Sequence, residues 1–106
     1  MHVQSGGTLL SPSMLAIEIA SRITRATGQP GLAHLAVRNL YSLSLVHIVP
    51  MDEQLVNRTA VIAADYKLKG ADAPFVALAD LEAVPLLSFD HAQLTRPADL
   101  ITTLRP

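Results

Sequence analysis

Apolar and polar positions fall into two alternating patterns along the chain. The stretch MHVQSGG, residues 1–7, follows neither and reads as a loose start. Thr8 to Leu10 is a short strand candidate. In SPSMLAIEIASRITRATG the apolar residues recur at helical spacing. Ser11 suits the N-cap, Pro12 the first helical position and Gly28 the stop. QPGLAHLAVRNLYS reads as a second helix. Leu43 to Val49, LSLVHIV, is β-branched and apolar, the pattern of a buried strand. A long helix follows, with Asp52 as N-cap and Gly70 as stop, and then another in ADAPFVALADLE. VPLLSF reads as a strand, DHAQL as one helical turn and DLITTL as a terminal strand. Strands that alternate with helices predict an α/β fold with a mainly parallel sheet. In such sheets ligands sit beyond the carboxyl ends of the strands. Asp90, directly after VPLLSF, falls at that edge.

Composition narrows this picture. The 106 residues make one domain, residues 1–106. Half of them are apolar, enough for a real core. Only 16% are charged, low for a monomer's surface, which predicts cover by another chain, most simply in a homodimer. The net charge of −1 is not that of a strongly basic nucleic-acid binder, although it leaves room for a local basic patch. There is no cysteine, which excludes disulfides, zinc–thiolate sites and a cysteine nucleophile. No apolar run reaches the roughly 20 residues of a membrane span, and no signal peptide is visible, so the expected compartment is the cytoplasm. The SGG of residues 5–7 does not match a phosphate-binding loop, and no nucleophile elbow is present. His34 and His47 read as structural histidines, and His91 adjoins Asp90.

The carboxylates carry the candidate chemistry. Glu18 interrupts the apolar run MLAIEIA, with Arg22 one turn on and Ser21 and Arg25 on the same side. An ordinary Glu–Arg pair on a solvated face explains it as well as a site does. Asp72 opens a helix just before Pro74 and suits an N-cap. Asp90 is open to the same reading. Taken together, Glu18, Asp72 and Asp90 are three acids on elements that can reach one sheet edge. Clustered carboxylates raise each other's pKa unless a cation compensates, and hard oxygen ligands suit magnesium or manganese. Such ions promote phosphodiester cleavage. Asp65, Asp80 and Glu82 read as surface acids, Asp52 as a cap, and Asp99 as a weaker candidate.

At this point GADAPFVALADLEAVPLLSFD resembles the C-terminal half of PIN domains, especially the VapC toxin subunits of bacterial VapBC toxin–antitoxin pairs. Gly70-Ala71-Asp72-Ala73 matches the stretch that opens a helix, and Ser88-Phe89-Asp90 the strand ending in Thr/Ser-x-Asp. SPSMLAIEIASRITRATG is similar to the family's helix that carries one acid, here Glu18. The likeness runs roughly from Thr8 to Leu104. It implies a three-layer α/β/α PIN-like fold and a metal-dependent ribonuclease. Glu18, Asp72 and Asp90 would then hold Mg2+ or Mn2+ against the scissile phosphate, with Ser88 near the metal. Arg22, Arg25 and Arg96 are the expected contacts to RNA backbone. The sequence departs from the family in lacking an Asp-bearing first strand, a gap of about 30 residues, the size of one strand–helix unit. The expectation is therefore an N-terminally truncated domain whose sheet lacks its middle strand. The alternative function is a non-catalytic PIN-like protein that dimerises or binds an antitoxin-like partner.

Overall fold

The computed structural model describes residues 2–5, 8–87 and 95–104. The elements run β1 (His2–Ser5), β2 (Thr8–Pro12), α1 (Met14–Thr27), α2 (Pro30–Ser42), β3 (Val46–Val49), α3 (Glu53–Tyr66), α4 (Ala73–Glu82), β4 (Leu86–Leu87) and β5 (Thr103–Leu104). The strands form one sheet in the order β3-β2-β1-β4-β5. β2 pairs parallel with β3, Leu9 against Val46 through Pro12 against Val49. β4 pairs parallel with β5. β1 is antiparallel to both of its neighbours, so β2 and β4 run the same way and the sheet is mainly parallel. The α/β expectation holds.

The middle of the sheet departs from expectation. The stretch read as a loose start carries β1, and β1 fills the position expected to be empty. Val3 lies between Leu10 of β2 and Leu86 of β4. Ser5 pairs with Thr8, leaving two residues, Gly6-Gly7, as the connection. A Gly-Gly link between two short strands is a hairpin signal, and it specifies an antiparallel partner rather than a parallel one.

Helix boundaries moved for local reasons. Ser11 and Pro12 remain in β2 and are fully buried, so the N-cap of α1 falls to Ser13. Its backbone N–H donates to the Val49 carbonyl at 2.8 Å, and its hydroxyl accepts from the Met51 N–H at 3.2 Å. These bonds tie the start of α1 to the end of β3. Gly28 closes α1 as expected, at φ 69° with its N–H on the Thr24 carbonyl. Asp52 caps α3 as expected, its carboxylate accepting from the Leu55 N–H at 2.8 Å. The stop of α3 is Lys67 in the left-handed region, φ 55°, rather than Gly70. The next residue, Leu68, is buried and donates its N–H back to the Ala63 carbonyl, which fixes the turn where it is.

The core centres on α4. Every residue from Ala73 to Ala79 is buried. An all-apolar run has no polar face to show solvent, so such a helix belongs in the interior. Phe75, Val76 and Leu78 pack with Leu55 and Ile62 of α3, with Leu68 and with Leu86 of β4. The helix surfaces at Asp80, whose carboxylate accepts from the Arg58 Nε–H at 2.7 Å. In contrast, α1 and α2 pack chiefly on each other, and α1 buries none of its residues completely.

Candidate functional site

The turn out of β2 starts α1 at the carboxyl end of that strand, and α4 starts after the turn that follows α3. Between α1 and the residues leading into α4 lies a cleft of about 280 Å³. Helix α1 supplies Ile17, Glu18, Ser21, Arg22 and Arg25, and the other wall is Ala71 and Asp72. Two of the three sequence-predicted acids therefore meet at one cleft.

Glu18 is not the fully solvated residue of the simple ion-pair reading. Its Oε1 is sheltered from solvent and has no hydrogen-bond partner among the described residues. Loss of solvation raises its pKa above the usual carboxylate range. The Arg22 charge opposes that rise, and the Asp72 charge adds to it. The effect of Asp72 on Glu18 is what two carboxylates facing one space produce.

Asp72 occupies the N-cap position of α4 but makes no side-chain cap hydrogen bond. A capping side chain bonds the N–H of the second or third helical residue. Here the second is Pro74, which has no N–H, and the N–H of the third, Phe75, donates to the Asp72 main-chain carbonyl at 3.3 Å. Capping therefore does not account for this carboxylate.

The remaining expectations sort by position. Asp90, Ser88 and His91 lie outside the described residues. No group of three or more His, Cys, Asp or Glu side chains arranged to hold a metal occurs among the described residues. His34 and His47 are exposed, so neither is the buried structural histidine that its apolar neighbours suggested; His47 lies on β3, an edge strand. Arg96 does not line the cleft; its guanidinium donates to the Lys67 carbonyl, bracing the turn after α3. Asp65 and Glu82 are exposed as expected, whereas Asp80 is half-buried in its pair with Arg58. Asp99 accepts a hydrogen bond from Tyr66; burial first, then this carboxylate, raises the phenol's pKa.

A larger cavity of about 470 Å³ opens at the other end of α4, between Ala79 and Pro85 on one side and Leu100 to Thr102 on the other. Its one carboxylate, Asp80, is already committed to Arg58, and the rest of its lining carries no titratable group. Ile17 was the site residue hidden in the sequence. It reads as core in an apolar run, yet it is 66% exposed at the cleft. The clue is its spacing of four from Ser21 and eight from Arg25.

No described helix is long and apolar enough to cross a membrane. A family model described as the PIN domain matches residues 2–100. No curated protein matches the chain.

Proposed function

Because the chain belongs to the PIN domain family, generally a nuclease fold, we propose that it is a metal-dependent ribonuclease of the VapC toxin type. The observation that carries this reading is the sheltered Glu18 oxygen, without a hydrogen-bond partner among the described residues, in a cleft shared with Asp72. The residues fit a hard divalent cation. Two carboxylates from separate elements face one space, and one bears a sheltered oxygen with no hydrogen-bond partner among the described residues. Glu18 and Asp72, with Asp90 as third acid and Ser88 beside it, are the proposed holders of Mg2+ or Mn2+. Bound there, the ion would activate water and neutralise charge on the scissile phosphate. The chain's own contribution is to shelter the Glu18 carboxylate beside the Arg22 charge, which opposes the rise in its pKa, and to place Asp72 across the cleft from it at the start of α4.

Calorimetry with manganese tests this reading. Wild type is expected to bind saturably, and Asp72→Asn to lose that binding together with metal-stimulated RNA cleavage. Absent binding, or binding that Asp72→Asn leaves unchanged, would sink the nuclease reading.

One observation favours the second reading, a non-catalytic PIN-like protein working through dimerisation or an antitoxin-like partner. β1 takes the central position with the residues His-Val-Gln-Ser and brings no carboxylate to the middle of the sheet. Exposed Leu32 and Leu35 on α2, together with Ile17, also offer an apolar surface to another chain. On either reading the chain is proposed to be a cytoplasmic homodimer.

A further inference from the structure

Three basic residues were expected on RNA, and the structure separates them. Arg96 is spent on a main-chain carbonyl away from the cleft. Arg22 and Arg25 stand on the cleft wall with Ser21 between the turns, all three exposed. Neither arginine forms an ion pair among the described residues, where the one ion pair is Arg58–Asp80.

The simplest use for Arg22 is to neutralise Glu18, and its charge does pull that carboxyl's pKa down. The two form no ion pair, however, and Glu18 Oε1 has no hydrogen-bond partner among the described residues. Arg25 lacks even this use. Four residues before it stands Ser21, and three before it stands Arg22, a like charge on the same face. Like-charge neighbours at such spacing cost a helix a few tenths of a kcal/mol. Two exposed arginines three residues apart on one helix, lining one cleft of a protein of net charge −1, form a local anion-binding feature that the overall balance conceals. The guanidinium fork matches phosphate oxygens two at a time, and a serine hydroxyl donates to a third. With Glu18 on the same wall and Asp72 opposite, the cleft is neutral by formal count, and a bound divalent cation would turn it into an anion trap. Ile17, one turn before Ser21 and two-thirds exposed, gives the same wall an apolar step.

We propose that Ser21, Arg22 and Arg25 form a phosphate subsite that grips the RNA backbone beside the bond being cut, with Ile17 packed against the adjoining ribose or base. The subsite rests on the nuclease reading in taking its ligand to be RNA. It does not rest on the metal, because the arginines bind phosphate without one.

Fluorescence anisotropy of a short fluorescein-labelled single-stranded RNA, titrated in EDTA across a salt series, tests it. The Arg22→Ala/Arg25→Ala double variant is expected to lose about tenfold in affinity, and its salt slope to shrink by about 1.4, the value for two phosphate contacts on a single strand. Arg38→Ala removes an exposed arginine of α2 that does not line the cleft, and should bind within about twofold of wild type. Arg22→Lys/Arg25→Lys keeps the charge and should restore the slope. Equal losses in the cleft double variant and in Arg38→Ala would overturn the subsite. So would an unchanged slope, or a wild type that does not bind the RNA. The nuclease reading fails separately, through manganese calorimetry: an intact phosphate subsite with no Asp72-dependent metal binding would leave RNA binding without that chemistry.

Discussion

Glu18 shows how a single side chain can oppose stability and serve a site. Its folded-state pKa lies above the ordinary value of 4.5, first because burial penalises the charged form. Between that value and its raised one, the folded chain holds more protons than the unfolded chain, so stability falls as pH rises through the window. Glu18→Gln removes this penalty. The variant is expected to be more stable than wild type at pH 7, by a margin that solvent screening keeps small. The advantage should vanish in acid, where wild-type Glu18 is also neutral. Thermal melts followed by circular dichroism at both pH values check it, and a larger advantage in acid would be the wrong sign. Glu18 was legible as a candidate from its polar intrusion into MLAIEIA. Its shelter was not, because the cleft it lines has its other wall at residues 71 and 72, far along the chain. Asp72 was legible for a related reason: Pro74 already removes one of the bonds that make an N-cap.

At the scale of elements, the helices were readable where their punctuation is chemical. Asp52, Gly28 and the apolar run of α4 behave as their residue types dictate. The errors came where tertiary contacts overrode local signals. Ser11-Pro12 has the look of a helix start, but β3 offers Pro12 a partner in Val49, and the strand wins. β1 was missed because four residues next to Gly-Gly carry too little apolar periodicity to register as a strand. It forms because two neighbours supply hydrogen bonds at once. This makes a sharp prediction. Val3 pairs on both sides, with Leu10 and with Leu86. Val3→Pro removes an N–H from a central strand and is expected to cost about 3 kcal/mol or more. Denaturant titration should show the transition midpoint falling steeply or the cooperative transition disappearing. A near-neutral result would mean that β1 is not needed to hold the sheet.

For the whole molecule, the radius of gyration is 13.8 Å, slightly above the roughly 13 Å typical of a chain this long, and the extents are 41 × 28 × 28 Å. The excess fits a chain whose α1–α2 pair adds little to the core. Leu32 and Leu35 of α2 are 43% and 48% exposed, and Tyr41 is 57% exposed. The low charged fraction is the sequence feature that suggests cover by another chain, and composition cannot say which surface would be covered. The proposed homodimer makes light scattering decisive. The expected mass is about twice the 11.3 kDa of one chain, and Leu35→Asp should shift it toward the monomer. A wild-type monomer at micromolar concentration would rule the dimer out.

The strand in the middle of the sheet also sets the order in which the molecule can assemble and come apart. β1 and β2 are joined by two residues, so their pairing closes a minimal loop. β1 and β4 join His2 to Leu87, a contact that spans most of the chain and carries its largest loop-closure cost. The sheet is therefore two blocks, β3-β2-β1 and β4-β5, sewn along a single late-forming seam. Amide hydrogens on that seam should exchange before those between β2 and β3, through openings that leave each block intact. Helix α4, which Asp72 opens, packs on β1 and β2 as well as on β4, so such an opening would release the β4 end of that helix while the Glu18 wall, anchored to β2 and β3, stayed in place.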